Sequence, residues 1–181
     1  KIHGIIETMR KSAHGYAKGA AEMKKLNIPV GISDFEKIRN SGFYYIDKSG
    51  LITEILKEKA EVTLITRPRR FGKTLGMSML ESFFDIRKDS KELFDGLEIA
   101  EHQVLCDEWM NRYPTVFISF RQVDGLDFTG AYDMLTMVIA DLYNKHLYLL
   151  DSKSATEFQK TAFEHLAHGN GSIKEVKSSL M

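Results

Sequence analysis

Residues 62–80, VTLITRPRRFGKTLGMSML, decide how this chain is read. The first five, VTLIT, are a β-branched run without polar alternation, the pattern of a strand covered on both faces in a parallel sheet. Leu75, Met79, Leu80, Phe83 and Phe84 then recur at helical spacing and make one apolar face. Between them lies a turn carrying Arg67, Arg69, Arg70 and Lys73 with no acid, a local net charge of +4 in eight residues. Strand, basic turn and helix in this order predict a site for phosphate.

A phosphate loop needs backbone N–H groups that converge on the oxygens, a helix N-terminus aimed at them, and a lysine that reaches the terminal phosphates. A hydroxyl beside the lysine then holds magnesium. Gly72 permits close backbone approach, Lys73 is the phosphate cation and Thr74 the magnesium ligand. The full pattern G-x-x-x-x-G-K-S/T is not met, because Arg67 stands where its first glycine belongs. Pro68 fixes its own φ and biases Arg67 toward an extended backbone, so a rigid start replaces a flexible glycine. On these residues alone, the turn is either a nucleotide site or a basic strand-to-helix connection.

Working outward, Ser33 and Glu36 make a capping-box signature for a short helix that ends near Gly42. Residues 43–46 are aromatic and β-branched and read as a short strand, and Leu51, Ile52, Ile55 and Leu56 predict a helix within 47–59. Downstream of the basic turn, residues 90–94 and 101–112 read as two further helices. Pro114 precedes a second apolar strand candidate, residues 115–120 (TVFISF). Two buried strands joined by a long helical crossover predict a right-handed βαβ unit. Helical spacing returns over 127–150, 155–166 and 173–180, with a turn at 168–171. The fold class expected is therefore α/β.

The chain has 181 residues, 43% hydrophobic and 28% charged, which excludes disordered, collagen-like and coiled-coil classes. Its bases and acids balance at 25 each, so no global positive field draws it to nucleic acid or an anionic membrane. Residues 1–25 hold six bases against Glu7 and Glu22, a net +4, and read as a leader or extension helix over 1–22 ahead of a domain at 23–181. A first residue of Lys is expected where the native start has been removed. Cys106 has no second cysteine to pair with, which favours a reducing, cytoplasmic compartment. No apolar run approaches the roughly 18 residues needed to span a bilayer.

Taken together, the segments IPVGISDFEKIRNSGFYYIDKSGLI, VTLITRPRRFGKTLGMSML, DSKELFDGLEI and YPTVFISF resemble the bacterial AAA-ATPase-like domain proteins, over most of the chain from about residue 23. RPRRFGKT is the usual phosphate loop of that family, so Arg67 is a family trait. The resemblance implies a P-loop NTPase three-layer αβα core with a parallel sheet, of which this chain is the N-terminal part, incomplete at its C-terminus. It implies Mg-ATP bound by Arg67, Pro68, Arg69, Arg70, Phe71, Gly72, Lys73, Thr74 and Leu75, with Lys73 and Thr74 as catalytic residues and Thr74 on Mg. The segment 43–56, with Asp47 and Lys48, is similar to a strand-helix lying near the base in related ATPases. Family members typically continue into an acidic Walker B strand and often carry a PD-(D/E)XK nuclease-like domain, which would bring nucleic acid as a partner.

Neither feature is found in these residues. The acidic strand supplies the carboxylates that position magnesium and water, so the chain is expected to bind nucleotide while hydrolysis belongs to an ATPase in the full-length parent. Residues 104–108, VLCDE, have the right letters at helical spacing, and in residues 116–121 Ser119 and Arg121 replace the carboxylates. A second reading stays open: a nucleic-acid or protein-interaction module whose cluster from Arg67 to Arg70 meets a polyanion without nucleotide. A third is a domain fragment without independent activity. His165 and His168 are a weak metal pair, and Cys106 reads as core.

Overall fold

A computed structural model describes residues 27–66, 68 and 70–179. The expected leader helix lies outside them. α1, Phe35–Asn40, is capped by Asp34, whose side chain accepts from the Lys37 amide at 3.0 Å, one residue later than the expected Ser33. α2 is Gly50–Glu58 and α3 is Lys73–Phe84. Two short 3-10 turns, Lys91–Phe94 and Glu98–Glu101, lead into α4, Gln103–Trp109. A further turn at Phe120–Gln122 precedes α5, Phe128–Lys145, with Asp127 as its N-cap. After the 3-10 turn Leu147–Asp151 come α6, Glu157–Ala167, and α7, Ile173–Ser178, each opened by a capping box.

The parallel-sheet core is not present. Among the described residues no sheet forms, and the β contact seen is an isolated parallel bridge between Asp85 and Tyr113. Residues 43–46, 62–66 and 115–119 form no strand. Val62 is 85% exposed and Leu64 84%, the opposite of a strand covered on both faces. The α/β expectation, with its βαβ unit and αβα layers, is therefore corrected to a helical architecture. β-branched side chains set an extended backbone locally, but a strand exists only where a second segment supplies its hydrogen-bond partners.

Two apolar cores hold the helices. In the first, Phe35 from α1 and Phe83 from α3 both meet Phe94, with ring centroids 5.0 and 5.3 Å apart. Ile52, Met79, Leu97 and Ile99 complete this core, against which Leu75 and Cys106 pack. The second joins Ile139 of α5 to Leu166 of α6 and Val176 of α7. Asn111 ties the end of α3 to the chain after α4: its amide donates to the Phe83 carbonyl at 2.7 Å, and its side chain donates to the Asp85 carbonyl at 2.9 Å. No helix among the described residues is long and apolar enough to cross a membrane.

Candidate functional site

α3 starts at Lys73, directly after Gly72, whose φ of 78° is a left-handed conformation that favours glycine. Arg70 is also left-handed at 66°. These two residues turn the chain sharply into the helix, and the Gly76 amide closes the first turn on the Gly72 carbonyl at 2.8 Å. The helix start has no side-chain cap bond and no acidic residue in its first turn. Its orphan N–H groups and positive dipole end suit an anion.

This helix start opens on a cleft of about 510 Å³, a size usual for small-molecule sites. Phe71, Gly72, Lys73, Gly76 and Met77 form one side. Gly50, Leu51, Thr53, Glu54 and Lys57 of α2 form another, with Lys48, Ile65, Glu98 and His102 completing the lining. Thr53 is 5% exposed, and its hydroxyl has no hydrogen-bond partner. The cleft thus combines a basic helix start with carboxylates, an imidazole and apolar walls.

Asp47, Lys48 and Ser49 join the two sides. The Asp47 carboxylate accepts from the Ser49 amide at 2.8 Å and from the Glu98 amide at 2.7 Å. Partial burial acts to raise the Asp47 pKa, but these amide hydrogen bonds outweigh it and hold the carboxyl below its ordinary value. The buried Ser49 hydroxyl accepts from the Ile99 amide at 3.1 Å. Between them, Lys48 Nζ reaches the Phe71 carbonyl at 3.5 Å. A Cβ on Gly72 would sit 3.3 Å from that amine.

Of the expected site residues, the structure brings Phe71, Gly72 and Lys73 into the cleft. Thr74 is exposed on the first turn and is not among the lining residues, while Leu75 turns inward against the first core. Pro68 is exposed, and its carbonyl accepts from the Phe71 amide at 3.4 Å. Arg70 is exposed, and Arg67 and Arg69 lie outside the described residues. The sequence reading missed Glu54, Lys57, Glu98 and His102, which carry no local motif and reach the cleft only through packing. Residues 104–108 are helical, within α4, as their spacing predicts.

The weaker candidates have local roles. His165 lies 3.6 Å from the Glu175 carboxylate, and the His168 ring bonds the Glu164 carbonyl at 2.7 Å. The Cys106 thiol donates to the Ile99 carbonyl at 3.3 Å, and burial, with Asp107 nearby, pushes its pKa up, away from nucleophilic character.

Residues 29–177 match the family model described as predicted AAA-ATPase. A curated relative, "Uncharacterized protein in vnfD 5'region" of Azotobacter chroococcum mcd 1, is 34% identical over 99 residues. That alignment covers 54% of this chain and 18% of the relative. No solved structure matches the chain. With a family match across most of its length, the chain belongs to the AAA-ATPase-like family of predicted AAA-ATPases.

Proposed function

We propose that this chain binds Mg-ATP at the N-terminus of α3, as the nucleotide-binding part of an ATPase. The observation that carries the reading is the start of α3. Gly72 is left-handed, Lys73 follows it, no acidic side chain occupies the first turn, and the helix opens on a cleft large enough for a nucleotide. Residues 71–73 fit a phosphate chain, and the Thr74 hydroxyl, exposed on the same turn, would take the magnesium ion. When bound, the ion neutralises phosphate charge. The chain's own part is to bind and orient the phosphates through the amides of the first turn and the Lys73 amine. Hydrolysis in the whole protein needs a carboxylate to position water, and the family membership supports that activity for the parent. The single cysteine, Cys106, makes the cytoplasm the proposed compartment.

Nucleotide at a hundred times its dissociation constant stabilises a folded protein by about 2.7 kcal/mol. At this chain length that raises the unfolding midpoint by about 5–10 °C. Differential scanning fluorimetry with Mg-ATP is expected to show that rise in the wild type and to lose it in Lys73→Ala. No rise in the wild type, or an equal rise in the variant, overturns the reading. Binding to DNA that weakens steeply with salt and ignores ATP would favour a polyanion module instead.

A further inference from the structure

Lys48 lies outside the phosphate-loop sequence, yet its amine stands over that loop, 3.5 Å from the Phe71 carbonyl and 3.3 Å from the position a Gly72 Cβ would take. Its backbone has little freedom to swing. Asp47 and Ser49, the residues on either side, are bonded to the Glu98 and Ile99 amides, and Ser49 and Ile99 are fully buried. The Lys48 carbonyl also accepts from the Leu51 amide at 3.1 Å in the first turn of α2. Thus α2 and the core hold a cation beside the start of another helix.

The charge there is unusual. A cation at the positive end of a helix is unfavourable without an anion, and no carboxylate of the described residues lies within ion-pair distance of Lys48. The neighbouring helix start is arranged the other way: the Glu98 carboxylate oxygens lie 2.9 Å from a Cβ placed on Gly50, the first residue of α2. One helix start in the cleft therefore has its own acid. The other has Lys48 beside it and no acidic residue within its own first turn.

We infer that Lys48 is a second phosphate-binding lysine of the nucleotide site, reaching the polyphosphate from the α2 side of the cleft. This rests on the proposed nucleotide function, and it assigns Lys48 to the phosphates where the family resemblance points to the base. A second cation from a separate element matches the high charge density of a triphosphate.

Isothermal titration of ATP and of inorganic tripolyphosphate against the wild type, Lys48→Ala, Lys48→Arg and Lys73→Ala tests the inference. Lys48→Ala is expected to weaken both ligands by about tenfold or more. Lys48→Arg, which keeps the charge, is expected to stay within about threefold of the wild type. The ligand-free unfolding midpoint of Lys48→Ala should match the wild type, because the side chain is exposed. If that midpoint falls, Lys48→Met, which keeps the stem, replaces it in the titrations. Wild-type ATP affinity in the neutral variant, with binding lost in Lys73→Ala, overturns the role of Lys48 and leaves the nucleotide reading intact. Weakened ATP with unchanged tripolyphosphate returns Lys48 to the base, and tripolyphosphate that fails to bind a wild type that binds ATP also removes the role. A wild type that binds neither ligand removes the nucleotide reading itself.

Discussion

Asp85 is fully buried and ends α3, where its carboxylate takes a bidentate guanidinium. Arg87 Nε donates to both Asp85 oxygens, at 2.9 and 3.0 Å, its Nη2 to Oδ2, and its Nη1 to the Lys145 carbonyl at 2.6 Å. One side chain thus links the end of α3 to the last turn of α5. Burial acts to raise the Asp85 pKa, but the bonds from Arg87 outweigh it and hold the carboxyl below its ordinary value. Arg87→Ala leaves that charge buried and unpaired, at a cost of about 3 kcal/mol. The midpoint near neutral pH should fall by about 6–12 °C. In acid, Asp85 takes up a proton and the penalty shrinks, so the difference between variant and wild type, followed by calorimetry, should narrow toward pH 4. An equal difference at both pH values would show that Arg87 acts through packing alone. Neither partner of this pair stands out in the sequence, because the role of Asp85 and Arg87 depends on burial.

At the scale of elements, α3 carries both the site and the first core. Phe83 is fully buried and meets Phe84 and Phe94 edge-on, with centroids at 5.0 and 5.3 Å. Phe83→Ala should cost about 3–5 kcal/mol, read from the urea midpoint, because the rings around it cannot close the space. A loss under about 1 kcal/mol would mean that this core repacks freely. The apolar face of α3 is legible in the sequence since its period is local, and so are α2, α5 and the two capping-box helices, α6 and α7. The cap of α1 falls on Asp34 instead of Ser33 because both residues cap well and only the path of the preceding chain chooses between them. The strand expectations fail for a different reason. VTLIT and TVFISF have strand composition, but the described residues give them no partner, and Val116 is 61% exposed.

Across the whole molecule, two apolar cores are bridged by polar contacts that respond to pH. His146 is buried beside Arg87; burial first, then the Arg87 charge, lowers its pKa below the usual 6.5. A histidine of this kind is folded neutral, so its stability is fully present above 6.5 and is lost as pH falls through its lower folded value. Asp47 and Asp85 also have lowered values, so their contribution is present above 3.8 and is lost as pH falls further. All three act in the same direction. Urea midpoints should hold from pH 8 to 7, decline gently below about 6.5 and drop more steeply below about 4. In His146→Gln the first decline should disappear while the second remains, and an unchanged profile would exclude His146 as its cause.

What the amino-acid sequence determined by itself is local: the helical periods and the passage from the basic turn through Gly72 into a helix beginning at Lys73 and Thr74. These follow from side-chain spacing, backbone freedom at glycine and turn chemistry, which act within a few residues. Only the tertiary structure decided that residues 43–46, 62–66 and 115–119 form no strand, that Asp47 and Ser49 hold Lys48 beside Phe71 and Gly72, and that Glu98 covers the start of α2. Each of these joins residues far apart in the chain. Strand pairing and cleft lining depend on which surfaces packing brings together, and no local pattern of residues encodes that choice.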